Sequence, residues 1–434
     1  MKIQRGKWSN WSGGVTCKPK NIIVPQDEVE LAAAVRQAEG PVRVPGAGHS
    51  FTPLNATDGT LIDLSAFSGL AGAHAGTRTA TLRAATQLWA AGPLLQEHGL
   101  ALKNMGDIDR QTLAGVVSTG THGTGRRLKN FSAEVAGFRI VLAGGEVLNC
   151  SASENADVFA AGRTSLGALG VLIEITMSVR QSYKLVERNF VLPIDELFRD
   201  LDKLVDENRH FEFFWFPYAD VAVCKSLNES SEEAPAPRSA QEMFARGERE
   251  SADQRAFAMF NEILPYAPFL LRPLHRLFSR LMPSAGKVRW SYEIFPSPRT
   301  TRFNEMEYAL PVAKGPDALK EIVETIRKRR INTGFPIEYR TVAADDVWMS
   351  PFYGRQSATI AVHQYHRVDT RRLFEACEAV FRRHEGRPHW GKRHSRDAHE
   401  LGELYPKFED FRAIRRRLDP HGKFLNAHLR TMFG

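Results

Sequence analysis

Residues 42–51, VRVPGAGHSF, place His49 directly after a Gly-Ala-Gly turn at the end of a short apolar strand. Glycine lets the backbone turn sharply and approach a ligand closely, because it has no Cβ atom. Residues 59–65, GTLIDLS, predict a second strand, so the turn belongs to a strand-turn-strand unit. From its position alone, His49 is either a hydrogen-bonding or packing residue or a residue with a chemical role.

Two further glycine-rich segments follow, AGVVSTGTHGTG at residues 114–125 and SLGALGVLIEI at residues 165–175. Glycine turns and hydroxyl side chains offer N–H and O–H donors that suit a pyrophosphate. None of the three segments has the GxGxxG or P-loop spacing. Together they predict a large dinucleotide that is held by neither a Rossmann unit nor a P-loop. His122, inside THGTG, leaves the same two alternatives open as His49.

The chain of 434 residues is too long for one hydrophobic core and predicts two domains, with three as the alternative. Short helices and strands follow one another irregularly, which predicts an α+β fold and not a regular βαβ alternation. Residues 25–40 predict a helix, and Gly144-Gly145 predicts a hairpin turn. In the second domain, strands are predicted within residues 210–226 and 358–366. Residues 228–254, rich in Glu, Ser, Pro and Arg, predict an exposed loop or linker.

Composition excludes several classes of protein. The net charge of +8 would suit an anionic partner, but the densest basic runs, residues 327–330 and 415–417, end predicted helices and are interpreted as solvated helix ends. We therefore expect no nucleic-acid partner. Four scattered cysteines without a CxxC pair predict free thiols, with neither a disulfide framework nor a zinc site. The absence of an apolar leader and of a long apolar run predicts a soluble cytoplasmic protein without a membrane span.

The C-terminal half offers a second group of chemically active side chains. Glu338 and Arg340 are separated by one residue, so on a strand both side chains point to the same face. Such a pair can grip a polyol and place a guanidinium near developing negative charge. The alternative is a salt-bridged strand at the surface. Residues 387–394, RPHWGKRH, lack the ligand spacing of a metal site, so no metal is expected.

Taken in order, these segments resemble the vanillyl-alcohol-oxidase (VAO) type of FAD-linked flavoproteins, and within it the sugar-lactone and alditol oxidases. The resemblance runs almost from end to end. It is carried by WSNWSGG, PGAGHSF, NMGDIDRQTLAGVVSTGTHGTG, SLGALGVLIEITM, FEFFWFPYAD, EYRTVAADDVWMSPFYGR, IAVHQY, RPHWGK and DPHGKFLNAHL.

The resemblance implies a two-domain α+β fold of the VAO/PCMH type. Residues 1–180 would form the FAD-binding domain, and residues 181–434 the substrate or cap domain. The last segment, about 388–434, contains Lys392 and Asn426 and would fold back on the FAD-binding domain. The resemblance further implies that FAD is attached covalently to His49. The residues expected to contact FAD are Val44, Pro45, Gly46, Ala47, Gly48, His49, Ser50, Gly106, Gly115, Ser118, Thr119, Gly120, His122, Gly123 and Ile173.

For catalysis, the resemblance implies that Glu338, Arg340 and Lys392 surround a carbinol whose hydride passes to flavin N5. Arg340 and Lys392 would stabilise the reduced flavin anion, and Glu338 would orient or deprotonate hydroxyl groups. Asp107 and His363 would contact the substrate, where alditol oxidases carry smaller hydroxyl side chains. This favours a sugar 1,4-lactone, namely L-gulono-, L-galactono- or D-arabinono-1,4-lactone, over alditols such as xylitol or sorbitol.

Gly106 bears on the electron acceptor, since related dehydrogenases often carry alanine there and its methyl group shields the flavin. Glycine therefore favours an oxidase that reduces O2 to hydrogen peroxide. A lactone dehydrogenase that uses cytochrome c is the alternative, and a basic non-catalytic binding protein is a more remote one. The chain is expected to be a monomer.

Overall fold

The computed structural model describes residues 2–4, 6–249, 252–279 and 286–434, and it confirms the α+β class. Its first lobe contains short strands and few helices. The strands are β1 (Lys2–Gln4), β2 (Trp8–Ser9), β3 (Thr16–Cys17), β4 (Asn21–Val24), β5 (Val42–Arg43), β6 (Thr60–Ile62), β7 (Leu70–His74), β8 (Thr79–Arg83), β9 (Leu100–Ala101), β10 (Val135–Val141), β11 (Val147–Ser151), β12 (Val171–Ser178) and β13 (Arg180–Gln181). The helices are α1 (Glu28–Gln37), α2 (Leu88–Gln96), α3 (Leu113–Thr119) and α4 (Ala156–Gly162).

Two sheets organise this lobe. One has the order β1-β4-β6-β5, in which β5 and β4 both run parallel to β6, and the other has the antiparallel order β11-β10-β12-β8-β7. Helix α1 lies within the helix predicted at residues 25–40, and the Asp27 side chain caps its first turn. The predicted hairpin joins β10 and β11, and Gly145 takes φ +92 in its turn. The glycine turn 46–50 follows β5 directly.

The second lobe is built on one large sheet. Its strands are β14 (Lys184–Pro193), β15 (His210–Trp215), β16 (Val221–Glu229), β17 (Lys287–Trp290), β18 (Phe303–Pro311), β19 (Ile337–Val342), β20 (Ser357–Tyr365) and β21 (Arg387–Pro388). The helices are α5 (Ile194–Glu207), α6 (Ala240–Glu248), α7 (Ala252–Ile263), α8 (Leu271–Phe278), α9 (Ser291–Ile294), α10 (Gly315–Lys328), α11 (Arg371–Arg383), α12 (Ala398–Leu404), α13 (Phe408–Leu418) and α14 (Ala427–Phe433).

The eight strands pair antiparallel in the order β17-β14-β16-β15-β19-β20-β18-β21. One face forms a core with α5, α10 and α11, to which Ile337 and Tyr339 of β19 contribute. Because strand residues alternate between the two faces, Glu338 and Arg340 point to the opposite face. The sheet therefore carries a row of buried charges on the side away from its helices.

The prediction of an exposed loop or linker at residues 228–254 is wrong for part of this stretch. Helix α6 forms there, with a capping box between Ser239 and Glu242. It packs against the first lobe, where the rings of Phe244 and Trp89 lie 5.2 Å apart. The polar composition concealed the helix, although the S-x-x-E pattern was a signal for its start.

The C-terminal segment lies against the first lobe. Side chains of α12, α13 and α14, such as Leu401, Phe411 and Leu429, share one core with Val116 of α3. The Asn426 side chain donates hydrogen bonds to three carbonyl oxygens in residues 53–56. All four cysteines are free. No helix in the described parts of the chain is long and apolar enough to cross a bilayer.

Candidate active site

A cavity of about 400 Å³ opens in the first lobe beside the glycine turn. Of the residues predicted to contact a cofactor, ten line it: Val44, Pro45, Gly46, Ala47, Gly48, His49, Ser50, Gly115, Ser118 and Thr119. Five do not line it: Gly106, Gly120, His122, Gly123 and Ile173. The Ile173 side chain belongs to the core, and its neighbours Val171 and Leu172 line the cavity in its place.

The glycine turn presents unused donors to this cavity. Within the described part of the chain, the backbone N–H groups of residues 46–50 donate to no protein acceptor. Gly48 has φ +73, and a Cβ atom on Gly46 would collide with the Thr112 hydroxyl. Both glycines are therefore needed for this backbone path. Free N–H groups together with the hydroxyl groups of Ser50 and Ser118 suit a pyrophosphate. The residues present thus fit a dinucleotide such as FAD.

The His49 ring is half-buried at the wall of the cavity, and its centroid lies 5.4 Å from that of Trp11. Burial, with the positive charges of Lys392 and Arg110, lowers the pKa of His49 to about 4. The imidazole is therefore neutral at pH 7 and keeps a nitrogen lone pair available for bonding.

Arg340 is the centre of a buried charge cluster where the two lobes meet. Its Nε atom donates to Glu212 at 2.8 Å, its guanidinium contacts Glu338, and Asp107 of the first lobe lies 3.5 Å away. Burial opposes the charge on Arg340, but Glu338, Glu212 and Asp107 outweigh it and raise the pKa of Arg340. Asp107 also pairs with Arg299. The cluster thus joins two strands, β15 and β19, and two loops by charge-assisted contacts.

Glu338 has the environment of a proton-holding carboxyl group. Burial raises its pKa well above the ordinary value, Arg340 opposes the shift, and the negative charges of Asp107, Glu212 and Glu305 add to it. A carboxyl group in such surroundings keeps its proton to higher pH than an ordinary glutamate does, and it is a stronger base once it is ionised.

Lys392 is a second cation of the site, and it lies close enough for electrostatic interaction with both His49 of the cavity wall and Asp107 of the cluster. Its Nζ atom pairs with Glu305 and lies 5.2 Å from the centre of the Phe51 ring. Although burial opposes its charge, Glu305 and Glu307 raise the pKa of Lys392, which stays cationic. The His363 Nε2 atom lies 3.6 Å from the other Glu305 oxygen. The structure therefore brings Glu338, Arg340, Lys392, Asp107 and His363 into one charged region.

Several titratable residues of this region were not predicted from the sequence: Glu212, Arg299, Glu305, Glu307 and His389. Glu305 and Glu307 have the same one-residue spacing on β18 as Glu338 and Arg340 on β19. That repeated spacing was the available signal. Their partners are distant in sequence, as the 2.8 Å contact between Glu307 and His122 illustrates.

His122, Glu307 and His389 form a buried group whose donor atoms lie within 4.8 Å of one another. The His389 Nδ1 atom accepts a hydrogen bond from the Gly391 N–H at 3.0 Å. A neutral His389 therefore carries its proton on Nε2, the atom that a metal would need. The His122 Nδ1 atom lies 2.8 Å from the Gly123 carbonyl. This geometry fits a hydrogen-bond network better than a metal site.

Comparison with known proteins finds similarity in both halves of the chain. Residues 19–151 match the FAD binding domain family, and residues 175–432 match the family described as D-arabinono-1,4-lactone oxidase. L-gulono-1,4-lactone dehydrogenase from Mycobacterium tuberculosis is 38% identical over 98% of this chain and 99% of its own. L-gulonolactone oxidase from Mus musculus is 30% identical, and alditol oxidase from a Streptomyces species is 29% identical, each over 98% of both chains.

A solved cholesterol oxidase from Brevibacterium sterolicum has the same fold. It is 16% identical, with a TM-score of 0.82 over 100% of this chain and 97% of its own. At this identity the likeness concerns the fold alone, and it confirms the two-domain VAO-type architecture. The chain therefore belongs to the D-arabinono-1,4-lactone oxidase family, and its first domain is an FAD-binding domain.

Proposed function

We propose that this protein oxidises a sugar 1,4-lactone, namely L-gulono-, L-galactono- or D-arabinono-1,4-lactone, at its C2 hydroxyl group. The observation that carries the proposal is the charged region that contains Glu338, Arg340 and Lys392, since the charge of Lys392 acts on His49 at the wall of the cavity. The names of the relatives support a lactone substrate. The product would be a 2-keto lactone that enolises to an ascorbate-type ene-diol.

FAD, when bound, supplies flavin N5 as the acceptor of the hydride from C2. Glu338 takes the hydroxyl proton, since its raised pKa makes the ionised carboxylate a strong base. Arg340, which is buried, and Lys392, which is partly buried, place two positive charges where negative charge develops. Asp107 and His363 orient the hydroxyl groups of the sugar. Because all of these groups are held by neighbouring charges, little rearrangement is needed during the reaction.

The substrate class is tested by anaerobic bleaching of the flavin. The three lactones should reduce the flavin quickly, whereas xylitol and sorbitol should not. Alditol oxidation is the second candidate, because an alditol oxidase is among the relatives. Fast reduction by alditols alone would overturn the lactone assignment.

We propose O2 as the electron acceptor, with hydrogen peroxide as product. Gly106 supports this, since it adds no side chain at a buried position where a Cβ atom would lie 3.3 Å from the His122 carbonyl oxygen. The mycobacterial relative is named a dehydrogenase, so cytochrome c is the competing acceptor. Reduced enzyme should be reoxidised quickly by air, and Gly106→Ala should slow that step without slowing reduction by lactone. Reoxidation by cytochrome c alone would contradict the proposal.

We propose a covalent bond between His49 and FAD. A neutral imidazole at the cavity wall supports this assignment. After acid precipitation the yellow colour should stay with the polypeptide of the wild type and of His98→Ala, an exposed histidine control. His49→Ala should release its FAD. Flavin that still precipitates with His49→Ala would place the bond elsewhere.

We also propose that the protein works in the cytoplasm as a monomer and binds no nucleic acid. The composition of an ordinary soluble protein and the placement of its basic runs at helix ends support this. Light scattering of the purified protein should give the mass of one chain, and a DNA column should not retain it at moderate salt.

A further inference from the structure

Arg43, the last residue of β5, is a buried arginine that lines the cofactor cavity. Its guanidinium donates four hydrogen bonds of 2.6–2.9 Å to backbone carbonyl oxygens: Nε to Leu54, Nη1 to Gly167 and Phe424, and Nη2 to Leu166. Three of these acceptor residues, Leu54, Leu166 and Gly167, line the same cavity. The positive charge of Arg43 is therefore held within the cavity wall.

The charge of Arg43 has no acidic partner in the described parts of the chain, where no Asp or Glu forms an ion pair with it and burial lowers its pKa to about 9. Asp63 is the one acid among the described residues that line the cavity; it is exposed and accepts a hydrogen bond from the Ser65 N–H at 2.8 Å. His428 is neutral at pH 7, because burial and the Arg43 charge lower its pKa to about 4. Carbonyl oxygens satisfy the N–H groups of Arg43 but carry no net charge to balance it.

A buried charge that has neither a counter-ion nor water around it is costly, and folded proteins usually pair such charges. We therefore expect the partner of Arg43 in the cavity itself. FAD, which the family of this domain binds, carries two negative charges on its pyrophosphate. The cavity also has the glycine turn, whose free backbone N–H groups suit the same pyrophosphate.

We propose that Arg43 is the counter-charge of the FAD pyrophosphate in this cavity. The N–H groups of the glycine turn fix the position of the phosphates by hydrogen bonds, and the guanidinium in the wall balances their negative charge. The inference rests on the binding of FAD in this cavity. It does not depend on the proposed substrate, on the electron acceptor or on the covalent bond to His49.

A purely structural role for Arg43 is the alternative, because its hydrogen bonds also join the loop at Leu54, the turn at residues 166–167 and the C-terminal segment at Phe424. Loss of these hydrogen bonds would weaken the binding of every ligand of the cavity. Loss of the charge would weaken the binding of ligands that contain phosphate. Comparing FAD with riboflavin, which has no phosphate, therefore separates the two roles.

The test is calorimetric titration of FAD and of riboflavin into the full-length His49→Ala protein freed of flavin, at pH 6. In this parent protein the proposed covalent bond cannot form. Arg43→Met should weaken the binding of FAD, relative to that of riboflavin, about 30-fold or more, because a buried charge pair loses one partner. Arg43→Lys keeps a positive charge and should hold the ratio of the two affinities within about threefold of the parent.

The Arg43→Lys variant also tests the proposal if Arg43→Met does not fold. Burial lowers the pKa of the introduced amine in the empty cavity, and a nearby pyrophosphate raises it. The affinity for FAD relative to riboflavin should therefore fall about tenfold or more between pH 6 and pH 9, whereas that of the parent should stay constant. A ratio in Arg43→Lys that is as independent of pH as the parent's overturns the proposal.

Arg36→Met serves as the matched control, because Arg36 is an exposed arginine of the same lobe that does not line the cavity. It should bind both ligands like the parent. Equal losses of FAD and riboflavin affinity in Arg43→Met would assign Arg43 a structural role and overturn the proposal. Flavin that stays attached to the His49→Ala polypeptide would contradict the covalent assignment alone, and the same titration then uses flavin-free protein from riboflavin-limited cells.

Discussion

Arg340 is shared by three acidic side chains from different parts of the chain: Glu338 on its own strand, Glu212 on β15 and Asp107 in the first lobe. Its side chain is buried, so no solvent replaces these contacts when they are lost. Removing one partner of a buried ion pair leaves the other charge uncompensated. Arg340 therefore has a structural role in addition to the proposed catalytic one.

We predict that Arg340→Ala lowers the free energy of unfolding by about 3–5 kcal/mol, the usual consequence of breaking a buried pair from one side. Arg340→Lys keeps the positive charge but loses the fork geometry, and should lose less stability than the alanine variant. Urea unfolding of both variants measures the difference. Equal stability of Arg340→Ala and the wild type would show that the contacts between this guanidinium and its three acidic partners do not stabilise the folded protein.

Some of the side-chain contacts of the site could be predicted from the sequence. The one-residue spacing of Glu338 and Arg340 predicts a shared face, and their contact confirms that face. The surface salt bridge, which was the alternative, is excluded because both side chains are buried. The partnership of Glu307 with His122 could not be predicted, since it joins residues 185 positions apart through the packing of the two lobes.

At the scale of secondary-structure elements, helix α8 packs on the protein through His275, whose buried imidazole is neutral in the folded state. Burial lowers the pKa of His275 to about 3. The unfolded chain, in contrast, binds a proton as the pH falls below about 6.5. The unfolded state therefore gains protons that the folded state does not take up, and stability falls as the pH drops through this range.

We predict that His275→Phe removes this part of the acid sensitivity. Between pH 7 and pH 5 the wild type should lose about 2 kcal/mol more unfolding free energy than the variant, because the unfolded histidine titrates near 6.5. Denaturant unfolding at several pH values gives both slopes, and His98→Phe, at an exposed position, should leave the slope unchanged. Parallel slopes for His275→Phe and the wild type would contradict the assignment.

Elements with clear periodicity or turn signals could be predicted, and those whose stability comes from tertiary contacts could not. The predicted strand at residues 358–366 is confirmed as β20. The structure also contains the hairpin around Gly144-Gly145. Helix α6 was missed because its residues are mostly polar and its contacts, such as Arg110 with the Phe244 carbonyl at 2.6 Å, come from the other lobe.

At the scale of the whole molecule, the C-terminal segment, about residues 388–434, connects the two lobes. Its helices α12, α13 and α14 pack on the core of the first lobe. Asn426 illustrates the tie: its amide donates to the carbonyls of Pro53, Leu54 and Ala56, and its oxygen caps α14. Leu54 also lines the cofactor cavity. The C-terminal segment therefore holds, through Asn426, a loop that forms part of the cavity wall.

We predict that Asn426→Ala lowers the unfolding free energy by about 3 kcal/mol, because three buried carbonyl groups lose their donor and a helix loses its cap. Asn149→Ala, at an exposed strand position, should change stability by less than about 0.5 kcal/mol. Urea unfolding monitored by tryptophan and by flavin fluorescence gives both values. If Asn426→Ala loses no more unfolding free energy than the control, the hydrogen bonds of Asn426 contribute little to stability.

The central claim is that Glu338 accepts the proton of the substrate hydroxyl group in a site built by both lobes. The most direct test follows flavin reduction by L-gulono-1,4-lactone in anaerobic stopped flow, for the wild type and Glu338→Gln, over a range of pH. Because its raised pKa keeps Glu338 protonated at low pH, the wild-type rate should increase with pH. Glu338→Gln should be slower by a factor of about 10²–10⁴ and insensitive to pH in this range, with its FAD absorption unchanged. Reduction of Glu338→Gln at the wild-type rate and with the wild-type pH profile would contradict the account.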